Sequence, residues 1–287
     1  MSKLLSAGFV KLFKSTVFYV GLAFMVGFPA FVVAVRFVDT LRYPEYYAEP
    51  LDGFLNAGLM FIGVVIAVVV SLFIGREYGD LVIRNKLIVG HTRADIYLSN
   101  LIVSMTGGII LQTSYLVSAY TLSRIFFGPF TIPKAEIIKM QMLGVCVTAA
   151  YSAIFTLIAM LIQSKSAASV TALITAMMLF LFGMTVYQKL ATEKFTNNPE
   201  LYENAFIGVS EDDNNGEEEG YYVKPSLTGL KLRVYRFLDD FLPSAQADQI
   251  SECVVPEHWD RFVMYDCVII LLTTITGVFV FRRKDLK

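Results

Sequence analysis

Few side chains in this 287-residue sequence have the type and spacing for covalent chemistry. Its two histidines, His91 and His258, lie far apart in the chain and on opposite sides of the membrane by the topology read below, which leaves no zinc or histidine-based catalytic cluster. No Ser/His/Asp set assembles. No G-x-x-x-x-G-K-[ST] stretch occurs, so the chain does not cradle nucleotide phosphates in a P-loop. The acidic tract from Glu211 to Gly220 invites a calcium reading. With Gly216 at loop position six, the first and last positions are Glu211 and Tyr222, where an EF-hand needs Asp and a bidentate Glu. The tract therefore reads as a solvated acidic loop. Cys146, Cys253 and Cys267 give no disulfide framework, although Cys253 alone in an outer loop could pair between chains. The chain reads as not an enzyme, with no cofactor, no metal and no nucleic-acid partner.

What remains is recognition chemistry, concentrated between Gly75 and Asn100 (GREYGDLVIRNKLIVGHTRADIYLSN). Arg76, Arg84, Lys86 and Arg93 stand there against Glu77, Asp80 and Asp95. Leu81 to Val89 keeps helical apolar spacing. Such a short amphipathic helix can grip a soluble partner: Arg84, Lys86 and Arg93 would meet an acidic groove, and Leu81, Ile83 and Leu87 would anchor in it. Glu77 is expected to pair with a basic residue near the end of the preceding apolar run.

The elements that hold this segment are membrane helices. The chain is 55% hydrophobic with a mean hydropathy of +0.58. Runs of about 20 apolar residues span a bilayer core of about 30 Å. Six occur: Ser15 to Val35, Phe54 to Ile74, Ile96 to Leu122, Met140 to Ile162, Ala167 to Tyr187 and Phe262 to Phe281. The segment lies between the second and third. Lysines and arginines collect before span one, after span two, between spans four and five, and after span six. The positive-inside rule then places both termini in the cytoplasm of a multi-pass plasma-membrane protein. Residues 1–187 hold the first five spans, 188–261 an extracytoplasmic loop or cap, and 262–287 the sixth span and tail.

Residues 1 to 14 read as an interfacial helix, with Leu5, Phe9, Leu12 and Phe13 toward lipid and Lys3, Lys11 and Lys14 on the other face. Gly27 and Pro29 predict a kink in span one, and Gly107 with Gly108 a weak point in span three. Ala168, Ala172 and Ala176 form a small-residue stripe in span five. The loop after span five has 15 acidic and 7 basic residues. Within it, Gly229 to Leu242 predicts a helix stopped by Pro243, with Ser244 capping a short successor. Trp259 is placed at the interface before span six.

Arg36, Asp95, Lys139 and Asp266 are expected near span ends, where they can snorkel to water. The absence of charge at span centres disfavours an ion-coupled secondary transporter. Met177, Met178, Phe180, Phe182 and Met184 in span five make a soft apolar surface suited either to greasy cargo or to lipid and helix packing.

Together these pieces resemble a permease subunit of the type-2 ATP-binding-cassette transporter superfamily. Many bacterial members read roughly E-Y-x-x-G-T-I-R-N-K-L-I-x-G-x-S-R followed by I-Y-x-S-N. This chain supplies Glu77-Tyr78, Ile83-Arg84-Asn85-Lys86-Leu87-Ile88, Gly90, Arg93 and Ile96-Tyr97-Leu98-Ser99-Asn100. Leu81 and Val82 replace the Gly-Thr pair, Gly79 stands two residues before it, and Thr92 replaces serine. The resemblance implies an all-α integral membrane protein with an N-terminal elbow helix, six spans, a coupling helix between spans two and three, and a large outer loop between spans five and six. It implies that Glu77, Arg84, Lys86, Leu87, Gly90 and Arg93 couple to a separate ATPase subunit that binds the ATP. It further implies that two permease subunits pair and that spans two and five line the path of a peptide, lipid-like or hydrophobic substrate. The rival reading is a non-transporting immunity or sensor protein whose acidic outer loop binds a cationic peptide.

Overall fold

A computed structural model describes residues 1–43, 51–197 and 229–283; Glu211 to Gly220 lies outside them. Every regular element among the described residues is a helix. That is what a lipid-embedded backbone requires, because each N–H and C=O must find its partner within its own segment. The order is α1 (Ser2–Phe13), α2 (Thr16–Arg42), α3 (Gly58–Gly79), α4 (Val82–Ile88), α5 (Arg93–Phe127), α6 (Lys134–Leu161), α7 (Lys165–Asn197), α8 (Leu230–Phe241), α9 (Pro243–Ser251) and α10 (Trp259–Arg283). Six of them, α2, α3, α5, α6, α7 and α10, are long and apolar enough to cross a membrane, and the chain is a multi-pass helical protein. Each coincides with a run legible in the sequence.

Burial sorts the six into a centre and a periphery. About 61% of the apolar windows of α3 and α6 is buried, against 17% of that of α10. Apolar attraction does not draw helices together inside lipid, so close approach through small residues has to supply the contact. Gly108 of α5 lies against Ser152 and Thr148 of α6 and Ile66 of α3. Ala168, Ala172 and Ala176 are buried, and α7 packs chiefly on α3.

Helix α1 departs from the interfacial expectation. It runs lengthwise along α5, with Gly8 against Val103 and Leu12 against Gly107. Its buried stripe is Leu4, Gly8 and Leu12, while Leu5 and Phe9 are half-buried and Phe13 is exposed. Gly107 and Gly108 therefore serve as seats for neighbours, and α5 runs unbroken past them. Helix α2 likewise continues through Pro29.

Beyond span five, the predicted helix appears as α8. Phe237 and Phe241 stack at 5.3 Å, and both meet Tyr265 of α10 edge-on. Pro243 does not merely stop α8: it occupies the first turn of α9, where its missing N–H leaves no bond unmade. Ser244 is inside that helix rather than at its cap. Nor is α9 part of a separate cap, since most of its residues are buried against α3, α6 and α7. Cys253 is also buried, beside Asn56, which removes it from any disulfide with a second chain.

A Cβ added at Gly108 would lie 2.8 Å from Ser152 Oγ and 3.2 Å from Ile66, whereas one at Gly27 meets nothing within 4 Å. Gly108→Val is expected to cost about 1–3 kcal/mol, seen as a lower Tm of the detergent-solubilised protein, and Gly27→Ala is expected to leave Tm within error or raise it.

Candidate partner-coupling site

The segment after α3 is built around one carboxylate. Glu77 closes α3 and is only 2% exposed. Lys86 of α4 donates to both its oxygens at 2.8 Å. Lys11 of α1 approaches Oε1 at 3.4 Å, and Asn100 of α5 donates to Oε2 at 3.0 Å. Four helices thus meet on one anion. The next residue adds a fifth: Tyr78 donates to the Met160 carbonyl of α6 at 2.7 Å. A basic partner for Glu77 was expected near the end of that span without being named, and Lys86, expected to face a soluble partner, fills the place; Lys11 and Asn100 were not legible, because nothing local in sequence brings residues 11 and 100 to residue 77.

The turn into α4 passes through a left-handed residue. Leu81 adopts φ 55°, ψ 18°, the left-handed region that favours glycine. It occupies the position where the pattern has glycine, and a leucine there is strained. At the other end of α4 the glycine is present. Gly90 has φ 96°, its N–H reaches the Leu87 carbonyl at 2.9 Å, and the His91 N–H reaches that of Lys86 at 3.2 Å. This is a Schellman motif, and it ends α4 within one turn. Thr92 then caps α5 by accepting from the Asp95 N–H at 3.1 Å, a task serine would do equally well.

Arg93 is also turned inward. Its guanidinium donates to the carbonyls of Phe281 and Arg282 at 3.2 Å each, where a cation complements the negative end of α10. The expectation that Lys86 and Arg93 face a soluble partner is therefore corrected. Both are spent inside the chain, and Arg84 is the one of the three basic candidates left exposed. The apolar anchors shift as well: Ile83 is 1% exposed and Leu87 half-buried. The surface presents Leu81, Arg84, Asn85, Ile88 and Val89, with Ile88 75% and Val89 77% exposed. Leu81, Arg84, Asn85 and Ile88 follow the i, i+3, i+4, i+7 rule of a helix that docks by one face.

The soft apolar residues of span five lie on the outer surface of the single chain. Met177, Met178, Phe182 and Met184 are exposed on the outside of the bundle, and Phe180 is half-buried with its ring 6.4 Å from that of Phe61. The alanine stripe takes the inward face. Asp266 overturns another expectation. It is 1% exposed within the bundle rather than snorkelling to water.

Family models, curated proteins and solved structures show no match to this chain. The class defined by the fold alone is a multi-pass helical membrane protein, with six helices of membrane-spanning length and hydropathy among the described residues.

Removing Glu77 strands a buried cation. Glu77→Ala is expected to destabilise by about 3–5 kcal/mol, and the pair Glu77→Leu/Lys86→Met by clearly less than Glu77→Ala, measured as Tm in detergent. Leu81→Gly is expected to stabilise by about 1–2 kcal/mol by relieving the left-handed strain, provided it is read in the absence of any partner.

Proposed function

We propose that this chain is the membrane subunit of an ATP-driven exporter of the type-2 ATP-binding-cassette kind, driven by a separate ATPase subunit. The observation that carries the reading is the construction around Glu77. A short helix presents one exposed apolar and cationic face while its other face is bonded into the ends of several spans. A push on Ile88 or Arg84 is passed to α1, α3 and α5 through Lys86 and the Glu77 carboxylate, and Arg93 extends the connection to α10. Surface loops that only enforce topology do not need a buried ion pair, which costs several kcal/mol of desolvation per ion.

In this reading the end of the bundle holding α4 and both termini faces the cytoplasm of a plasma membrane. Two copies, or this chain and a relative, pair to form the path. The exposed Met177, Met178, Phe182 and Met184 surface of α7 meets the second subunit or the cargo there. Cargo is a peptide, a lipid-like molecule or a hydrophobic compound, moved by alternating rocking of the two bundles.

Detergent-solubilised protein, expressed together with its genomic neighbours, is expected to bring down an ATPase. Ile88→Asp and Arg84→Glu should each reduce that recovery at least tenfold while leaving Tm unchanged. If wild type recovers no ATPase, or if these variants recover it as well as wild type does, the coupling assignment fails.

A further inference from the structure

A groove between α1 and α4 lies against the Glu77 network and is not used by it. Its volume is about 320 Å³, the size of a small-ligand site. Leu4, Ala7 and Gly8 of α1 and Val82 and Val89, at the two ends of α4, give it apolar walls. Its charges are unbalanced. Lys3, Lys11 and Lys86 line it against the single carboxylate of Glu77. Lys86 donates to both Glu77 oxygens, so that pair is neutral. Lys11 stands 3.4 Å from the same carboxylate with its side chain 42% exposed, and its charge is in excess. Lys3 is exposed and has no ion-pair partner among the described residues. Half-buried His91, just beyond α4, adds an imidazole to the lining.

Apolar walls and an excess of positive charge together select an amphiphile with an anionic head. The bilayer and a soluble partner are the two sources of such a group, and the surroundings of α1 favour the bilayer. Val10 and Phe13 of α1 are 51% and 46% exposed. The exposed apolar surface continues on α2 through Tyr19, Val20 and Phe24, and α2 is one of the membrane-length helices. One wall of the groove is therefore a helix whose outer surface meets acyl chains. The lysines serve such a site twice, since their methylenes lie along an apolar chain while the ammonium reaches a phosphate.

We propose that the groove between α1 and α4 binds an anionic phospholipid, with its phosphate held by Lys3, Lys11 and an N–H of His91 and an acyl chain along Leu4, Ala7, Val82 and Val89. Lys3 and Lys11 are about 12 Å apart along α1, a distance that two lysine side chains close from either end. The Glu77 carboxylate does not repel the phosphate, because Lys86 already neutralises it. A lipid seated here touches α1 and α4 together, outside the ion pair that joins them. Binding to the seated arrangement alone stabilises it, so the hold on α4 rises with the anionic lipid content of the leaflet. The topology proposed above supplies only which leaflet this is, and the site does not depend on an ATPase partner.

Full-length protein purified in detergent without a partner tests it. Dioleoylphosphatidylglycerol, dioleoylphosphatidylcholine and glycerol phosphate are titrated separately, and binding is followed by native mass spectrometry and by Tm. Wild type is expected to retain phosphatidylglycerol in preference to phosphatidylcholine and to gain Tm with it, while glycerol phosphate gives no gain. Lys3→Gln should weaken phosphatidylglycerol binding about fivefold, the worth of one lysine at an anionic surface, and Lys3→Arg should restore it. Ala7→Phe, at an exposed position on the groove wall, should reduce the same binding with no change of charge, and its Tm without lipid shows that the fold is kept. Equal retention of the two lipids would overturn the proposal, as would phosphatidylglycerol binding that neither Lys3→Gln nor Ala7→Phe weakens. A Tm gain from glycerol phosphate equal to that from the lipid would make this a free-phosphate site. Recovery of an ATPase that Lys3→Gln abolishes while lipid binding is intact would assign the groove to a soluble partner instead.

Discussion

A carboxylate placed where water cannot reach it decides the geometry of one end of this protein. Glu77 is an anion at the last turn of the central helix α3, and its solvation must be replaced group by group. Lys86 supplies the compensating charge on both oxygens, Asn100 an amide donor, and Lys11 a more distant cation. Each donor belongs to a different helix, so satisfying one charge fixes the positions of three neighbours at once. A buried pair of this kind adds little net stability compared with apolar packing, but breaking it is costly. Its effect here is to tie α1, α3, α4 and α5 to one point.

Everything near this anion serves to deliver its partners. The left-handed turn at Leu81 reverses the chain in so few residues that Lys86 can reach back nine positions. Gly90 terminates α4 immediately, so that Thr92 can start α5 and Arg93 can reach the end of α10. The exposed remainder of α4 is what these constraints leave over: the side not needed for the interior is free for a partner. In the proposed exporter that leftover face receives the motion and the buried face distributes it.

The sequence located all six membrane-length helices, with ends off by up to ten residues, because runs of apolar side chains matched to bilayer thickness have few alternative readings. It also pointed to the 75–100 segment, since a charged insert between two such runs stands out. Sequence did not reveal which side of α4 faces inward. Lys86 and Arg93 look like surface cations in any local window, and only the contacts with residues 77 and 281–282 turn them inward. Asp266 was misjudged for a related reason. Its position seven residues into α10 suggests access to water, yet α10 packs chiefly on α6, with α5 and α8 also against it, and the carboxyl is buried. The small α9, seated among the spans, was not legible as a buried element because its residues PSAQADQIS are polar and small. Small residues are what permit a helix to enter an already filled bundle, and the polar ones fasten it there.

The central claim is that the outward face of α4 is where a soluble ATPase bears on this membrane protein. A photo-crosslinking amino acid placed at Ile88, in cells expressing the protein with its genomic neighbours, tests it most directly. Irradiation is expected to yield an adduct with an ATP-binding-cassette ATPase, identified by mass spectrometry, and no such adduct from the same probe at the exposed Ile125 on the far end of α5. Adducts from Ile88 confined to lipid or to this chain, with the ATPase present in the cell, would contradict the account.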